Sequence, residues 1–402
     1  MASPQRRPLD GLRVLDFTHA AAGPFATMYL ADMGAEVIKV EKHGRGDGIR
    51  HVAEYYVSLN RNKKDICLDL AHPEGVVLAR RIAAESDIVV QNFRPGVMAR
   101  LGLGFEDLRT VKSGLIYCSI SAFGEKGPWA DRPANDIILQ SVSGLMGITG
   151  EEDGGPVRIG APIADYASGL FGLSGVLAAL YARPHYPEGQ HIQISMLDSA
   201  FAMMSNYIPS AARGERIPRV GRGHAQIVPY QAFVCSDGEF VMVGAFTQNF
   251  WKATCHALGK PEWIDDPRYV SNAQRRKHRA ALLGEMADLF RLKPRAEWLK
   301  ILGDADVPTS PVLELHDALR SEQAVFSKSL MEVGEPGDSV TVARSPIRTE
   351  QWKAAKPKMA PAMGLNTEQV LTEILGLDGA TIQDLAARGV IGLAGKSERK
   401  PR

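Results

Sequence analysis

Cysteine is scarce, with four residues in a chain of 402. Cys67, Cys118, Cys235 and Cys255 are widely spread, and none forms a CxxC pair or a metal-ligand spacing. Isolated cysteines in so long a chain read as reduced thiols of an intracellular protein, each a small core residue. An excess of either charge is lacking too. Against 47 basic residues stand 46 acidic ones, a formal net charge of +1, so no nucleic-acid or membrane-surface partner is expected. No uninterrupted apolar run reaches the roughly 18 residues of a membrane span. The longest candidate, LFGLSGVLAALYA (170–182), is interrupted by glycine and serine and predicts a buried helix. The N-terminal MASPQRR carries two arginines but no apolar h-region, which argues against a secretory signal and leaves a short transit peptide as the open alternative. The cytoplasm is the expected compartment.

Several chemical signatures are absent as well. The ten histidines make no HxxxH or HExxH pattern, so no metal site is expected. No GxSxG surrounds a serine; QSVSG (140–144) does not match it. Neither GxGxxG nor GxxxxGK[ST] occurs, and GRGDG shares only composition with a phosphate loop.

What the first hundred residues do contain is an alternation of strand and helix patterns. LRVLDF (12–17), AEVIKVE (35–41), ICLDL (66–70) and DIVVQNF (87–93) read as strands. PFATMYLADMG (24–34) and PEGVVLARRIAAES (73–86) read as helices, the first with Phe25, Met28, Tyr29 and Met33 on one side and Gly34 as its stop. Such alternation predicts an α/β fold with a parallel sheet, whose ligands bind at the carboxyl ends of the strands. The turns there hold THAAAGP, KHGRGDGIR and RPGVMAR. Lys42, His43, Arg45 and Arg50 with three glycines, and Arg94 with Arg100, suit a phosphorylated ligand as well as they suit a solvated loop. Residues 205–235 are rich in Pro, Gly and Arg and read as a connector. A hairpin at 233–245 with Asp-Gly at its turn follows, then helices to about 300, extended chain near 307–319, a strand in 338–348 and two terminal helices. The charged tail GKSERKPR reads as disordered.

One acidic residue, Asp165, lies in GAPIADYASGLFG among Ala, Gly, Ile and Leu. At a helix start it could cap free amides. Position alone favours that cap, and the alternative is a nucleophile, stabilised by the helix dipole and orphan N–H groups.

PLDGLRVLDFTHAAAGPFATMYLADMGAEVIKVEKHGRGD, LNRNKKDICLDL, VVQNFRPGVMARLGLGFEDL, LIYCSISAFGEKGP, IADYASGLFGLSGVLAAL and IVPYQAFVCSDGEF together resemble the class III coenzyme A transferases, from about residue 8 to about 392. The resemblance implies that Asp165 is the nucleophile and that Asp136 is an acidic neighbour. It implies that Lys42, Leu68, Asp69, Asn92, Phe93, Arg94 and Arg100 line the coenzyme A site, with Arg132 to Asn135 near the pantetheine or thiol. Coenzyme A and its esters are then substrates, with no resident cofactor. Ala21 stands where the formyl-CoA subgroup has a glutamine, which weakens a formyl or oxalate assignment. The shielding Gly-rich loop is reduced to VGAFTQNF (243–250), where Gly244 is the candidate cover. NRNKK, YCSI, VSGLMGITG and IVPYQAF resemble the dicarboxylate-using, succinyl-CoA:glutarate type, and Arg222 and His224 are candidates for a second substrate carboxylate.

The resemblance further implies a Rossmann-like large domain (1–204 and 321–392), a linker (205–232), a smaller α+β domain (233–320), a flexible tail (393–402) and an interlocked homodimer. The same fold serves α-methylacyl-CoA racemases, which use a His/Asp pair. Asn135 occupies the histidine place here, and a neutral amide is no general base. Three readings follow: a CoA-transferase, a racemase, and a CoA-binding protein in which Asp165 only caps a helix.

Overall fold

A computed structural model describes residues 6–395. The expected tail lies outside them except for its first residues, as does most of MASPQRR. The chain forms two compact units. Of the described residues the first comprises 6–143, 159–205 and 322–395, the second 144–158 and 206–321.

The first unit is built on a seven-stranded sheet. Its strands are β1 (Arg13–Asp16), β2 (Glu36–Glu41), β3 (Lys64–Leu68), β4 (Ile88–Gln91), β5 (Ile116–Ser121), β6 (Gln190–Ser195) and, at one edge, a two-residue strand Ile391–Gly392. The order is Ile391–Gly392, β3, β2, β1, β4, β5, β6. All pairings are parallel except the edge strand, which runs antiparallel to β3. The order 3-2-1-4-5-6 is the doubly wound one, and its reversal falls between β1 and β4, where Val14 sits opposite both Val37 and Ile88.

Alternation along the strands explains why they read as near-continuous apolar runs. Leu15, Ile38, Ile66, Val89 and Tyr117 face a core completed by Leu78 and Ile82 of the Pro73–Ala84 helix and by Val370, Leu371, Ile382 and Leu385 of the two C-terminal helices. Val14, Val37, Ile88, Cys118 and Ile120 face the opposite core, with Leu30 of the Ala22–Asp32 helix and Leu173, Val176 and Ala179 of the Ile163–Ala182 helix. With both faces covered, the central strands read as apolar runs, while the edge strand β6 keeps a polar side at His191, Gln193 and Ser195. The Ala22–Asp32 helix starts before the predicted Pro24 and is buried on most sides, not one, because its Gly, Ala and Thr residues let it nest against neighbours.

The Ile163–Ala182 helix corrects another expectation. With the three residues that follow it is long and apolar enough to cross a membrane by length and composition. In the fold it is not wholly buried: Leu173 and Val176 lie in the core, while Leu170 (49% exposed), Phe171 and Tyr181 face outward. Its glycines have a use. A Cβ on Gly169 would stand 2.6 Å from the Ala22 carbonyl oxygen, so this glycine lets two helices touch backbone to backbone.

The second unit holds an antiparallel sheet of Tyr230–Val234, Phe240–Gly244 and Thr309–Pro311. The predicted hairpin is there, with Gly238 at φ +80° in its turn. Around it Phe233, Val241, Trp251, Tyr269, Phe290 and Trp298 form a separate core. Residues 144–158, which the sequence placed with the first lobe, and 206–232, read as a connector, both group with this unit. The physical ties are backbone bonds, Gly221 N to Gly150 O and Ala232 N to Arg222 O.

Gly169→Ala should destabilise the protein by about 1–3 kcal/mol, because the Ala22 carbonyl has to give way. Gly284→Ala, also helical but with open space around it, should leave stability unchanged or raise it by up to about 1 kcal/mol. Thermal melts of the two variants beside the wild type check the contrast.

Candidate active site

Two cavities of the first unit open side by side at the carboxyl ends of the strands. The larger, about 570 Å³, is lined by Phe17, His19, Lys42, Arg45, Asp47, Leu68, Asp69 and Phe93 among others. The smaller, about 230 Å³, is lined by His19, Ala21, Asn92, Arg94, Arg132, Asn135 and Asp165 among others. His19, Ala20 and Phe93 line both, so the cavities adjoin.

The loop between them is held from three sides. Thr18 donates its amide to Asp16 Oδ1, and its carbonyl accepts from the buried Lys39 Nζ at 2.6 Å. His19 exchanges both backbone bonds with the Asn92 side chain, at 2.9 and 2.8 Å. The Ala20 amide donates to Asp47, which in turn accepts from Lys39 Nζ at 3.0 Å. Ala20 takes a left-handed φ of +61°, unusual for a residue with a Cβ, and these bonds hold it there. Burial alone would discharge the Lys39 ammonium, but Asp16, Asp47 and Glu41 outweigh it and raise its pKa. Burial likewise pushes the Asp47 carboxyl up, and Lys39 with the Ala20 amide brings it below the ordinary value. The pair is therefore ionised beneath the loop.

Asp165 occupies the third position of its helix, and Pro162 precedes the helix without a side-chain cap. Among the described residues, no hydrogen bond ends on the Asp165 carboxylate, so the capping reading has no support. The amides expected to stabilise it are taken instead by Asp136. Asp136 Oδ1 accepts from Ala164 N at 2.8 Å and from Asp165 N at 3.3 Å. This corrects the expected electrostatics. Burial first, and the Asp136 charge second, push the Asp165 carboxyl up to about 7. Tyr55 and Tyr166 both feel the Asp165 charge, and burial raises both phenols. Phe25 stacks on Tyr166 with ring centroids 4.5 Å apart.

The structure thus brings together Asp165, Ala21, Asn92, Arg94, Arg132 and Asn135 around one cavity, and Lys42, Leu68 and Asp69 around its neighbour, with Phe93 in both. Asn135 caps the Asp136–Val142 helix through Ile138 N, and Asp136 is buried behind Asp165. Arg100 ends the short Val97–Arg100 helix and lines neither cavity. Gly244, Arg222 and His224 belong to the second unit. Gly244 ends a strand and donates its amide to Pro308 O. Arg222 lies 3.4 Å from Glu151 and over the Phe240 ring, and the His224 ring stacks on Tyr230. Sequence reasoning missed His19, Tyr55, Tyr166 and Gln140. His19 had one signal, its place in the turn after β1. Tyr55 and Gln140 had none, since only the fold brings their helices to Asp165. Among the described residues, no group of three or more His, Cys, Asp or Glu is placed to hold a metal.

Cations and glycines at strand ends beside a poised carboxylate find their counterpart among known proteins. Residues 9–367 match CoA-transferase family III. The chain belongs to that family. It is 36% identical over 395 residues to succinyl-CoA:glutarate CoA-transferase from Mus musculus, covering 96% of this chain and 90% of that protein. It is 36% identical over 348 residues to acetyl-CoA:oxalate CoA-transferase from Acetobacter aceti, covering 84% and 89%. A crystal structure of a CAIB/BAIF family protein from Brucella suis superposes with a TM-score of 0.81 at 31% identity, covering 92% of this chain and all of that one. The family expected from the sequence motifs is borne out. This CoA-transferase is an enzyme whose substrates are coenzyme A thioesters and carboxylic acids.

A carboxyl raised from 3.8 to about 7 favours the folded state fully below about pH 4, and that contribution is lost as pH rises through 7. Asp165→Asn removes the cost of the buried charge. The variant should melt with the wild type at pH 4 and above it at pH 8, as read by thermal denaturation across that range.

Proposed function

We propose that this CoA-transferase moves coenzyme A reversibly between dicarboxylic acids, with succinyl-CoA as a donor and Asp165 as nucleophile. One observation carries the reading: a carboxylate with no structural partner, kept basic by burial, at the wall of a cavity that adjoins a larger one bearing Lys42 and Arg45. The names of its relatives point the substrate toward dicarboxylates. The larger cavity suits the coenzyme, with Lys42 and Arg45 for its phosphates and Leu68, Asp69 and Phe93 against the rest. Arg94 and Arg132, which share the smaller cavity with Asp165, are cations available to a second substrate carboxylate.

The chemistry follows from a carboxylate nucleophile. An Asp165 oxygen attacks the thioester carbonyl carbon, the C–S bond breaks, and CoA leaves as thiolate from an aspartyl–acyl mixed anhydride. The thiolate attacks the Asp165 carbonyl carbon, giving an aspartyl-CoA thioester and releasing the donor carboxylate. The acceptor carboxylate attacks that thioester, forming a new anhydride and thiolate. The thiolate then takes the acceptor acyl group and frees Asp165. No water enters the balance, so a closed site preserves the thioester energy.

A racemase reading keeps one observation in its favour, since His19 shares the Asp165 cavity and burial, with Lys39, lowers its pKa toward a neutral base. Intact-protein mass after succinyl-CoA and hydroxylamine decides between them. An adduct on Asp165, absent in Asp165→Ala, is expected, with loss of CoA transfer to glutarate by at least about 10³-fold. Exchange of the acyl α-proton without any adduct would select the racemase.

We place the enzyme in the cytoplasm as an interlocked homodimer. The three helices Asp136–Val142, Ile163–Ala182 and Met196–Met203 expose Ile137, Ile138, Leu170, Phe171, Phe201 and Met203, apolar surface that a second copy would cover. Light scattering should give twice the chain mass. Tagged and untagged preparations should not exchange subunits on mixing, because threaded chains separate only by unfolding. A monomer, or free exchange, would refute the arrangement.

A further inference from the structure

Behind Asp165 lies a pair of buried side chains that the reaction itself does not use. Asp136 begins the Asp136–Val142 helix, and Gln140 sits one turn later on the same face. Gln140 is fully buried. Its Nε2 donates to Asp136 Oδ2 at 2.6 Å, and its Oε1 accepts from Ile159 N at 2.8 Å. Asp136 Oδ1 accepts from Ala164 N and Asp165 N. A chain of hydrogen bonds therefore runs from the segment entering the Ile163–Ala182 helix, through Gln140 and Asp136, to the amides at its first turn.

The donor and acceptor pattern of this chain has a single sense. Gln140 must present its amide nitrogen to Asp136, because its oxygen is held by the Ile159 N–H. Asp136 must then present acceptors on both sides, to Gln140 and to the helix amides, which a carboxylate does and a carboxamide does not. Negative charge is thus fixed at the positive end of the helix that carries Asp165, in the place an ionised Asp165 would have had to itself. Around Asp165 the other titratable groups are His19, Arg94 and Arg132 in the cavity wall, and the phenols of Tyr55 and Tyr166. The two arginines are exposed, and His19 loses charge by burial. Asp136 is the group with a charge effect on Asp165.

We infer that Asp136 and Gln140 are positioning residues that withhold the helix-end amides from Asp165 and keep its carboxylate basic, hence strongly nucleophilic once ionised. The inference rests on Asp165 as the nucleophile for its consequence, but not for its readout. The consequence is an acid limb in the pH profile set by a charge that never touches substrate.

The test moves the charge one link back and keeps each link of this chain, losing only the long 3.5 Å bond from Gln140 Nε2 to the Ala161 carbonyl. In the double variant Asp136→Asn, Gln140→Glu, the Asn oxygen still accepts from the Ala164 and Asp165 amides. Its nitrogen donates to the new carboxylate, which still accepts from Ile159 N. Protonated Asp165 is labelled with a water-soluble carbodiimide and glycine ethyl ester across pH 4–9, and the Asp165 peptide is quantified by mass. In parallel samples the thioester adduct with succinyl-CoA is trapped. The labelling midpoint is expected near 7 in the wild type and about one unit or more lower in the double variant, with the trapping profile following it. An unchanged midpoint in a folded double variant overturns the inference. So does a wild-type midpoint below 5. Should the double variant not fold, Asp136→Ala carries the same test and should lower the midpoint at least as far. If Asp165 labels as expected but no adduct forms at any pH, the transferase mechanism fails while the positioning role stands.

Discussion

Between β1 and the helix that follows, the backbone at Thr18, His19 and Ala20 is tied to side chains from both neighbouring strands. Lys39 and Asp47 come from the β2 side, and Asn92 directly follows β4. The loop lies where the strand order reverses, the place at which a crevice opens outside the carboxyl ends of a doubly wound sheet. The loop in turn forms the wall shared by the two cavities. Its cost is a buried lysine and several buried carboxylates. Each would be unfavourable alone, and together they neutralise and hydrogen-bond one another. Removing one partner would leave the others charged in a dry interior.

The same economy governs the helix carrying Asp165. It needs glycine where it meets the Ala22 carbonyl, leucine and valine where it meets the sheet, and an acid at its open end. These demands fall on different faces of one segment. A sequence that reads as uniformly apolar therefore serves a core, a helix contact and a candidate site at once. Asp136 completes the arrangement by answering the amides at the helix start, leaving Asp165 with burial and no compensation. On the proposed mechanism stability and reactivity are opposed at this carboxyl: the environment that disfavours its charge would make the charged form a strong nucleophile.

Much of the large unit was legible along the chain. Runs such as EVIKVE and DIVVQNF are short, β-branched and bounded by glycine or polar turns, so their strand character needs no tertiary information. Asp165 was conspicuous because a charge among Gly, Ala and Leu has few bland explanations. Tyr55 and Gln140 were not, since each is an ordinary residue in an ordinary helix until the fold brings it to Asp165. Residues 206–232 misled for a related reason. Pro, Gly and Arg mark the absence of regular structure, but bonds from Gly221 to Gly150 and from Val228 to Asn272 and Arg275 still tie that stretch to the second unit.

By itself the sequence determined the alternating elements, the strand ends at which to look and the family, because these depend on local periodicity and on motifs in fixed order. Only the tertiary structure decided which charge sits at the start of the Ile163–Ala182 helix. The linear chain offers Asp165 to those amides. The fold brings Asp136 to them from a helix more than twenty residues away, and a hydrogen bond is decided by distance in space, not in sequence.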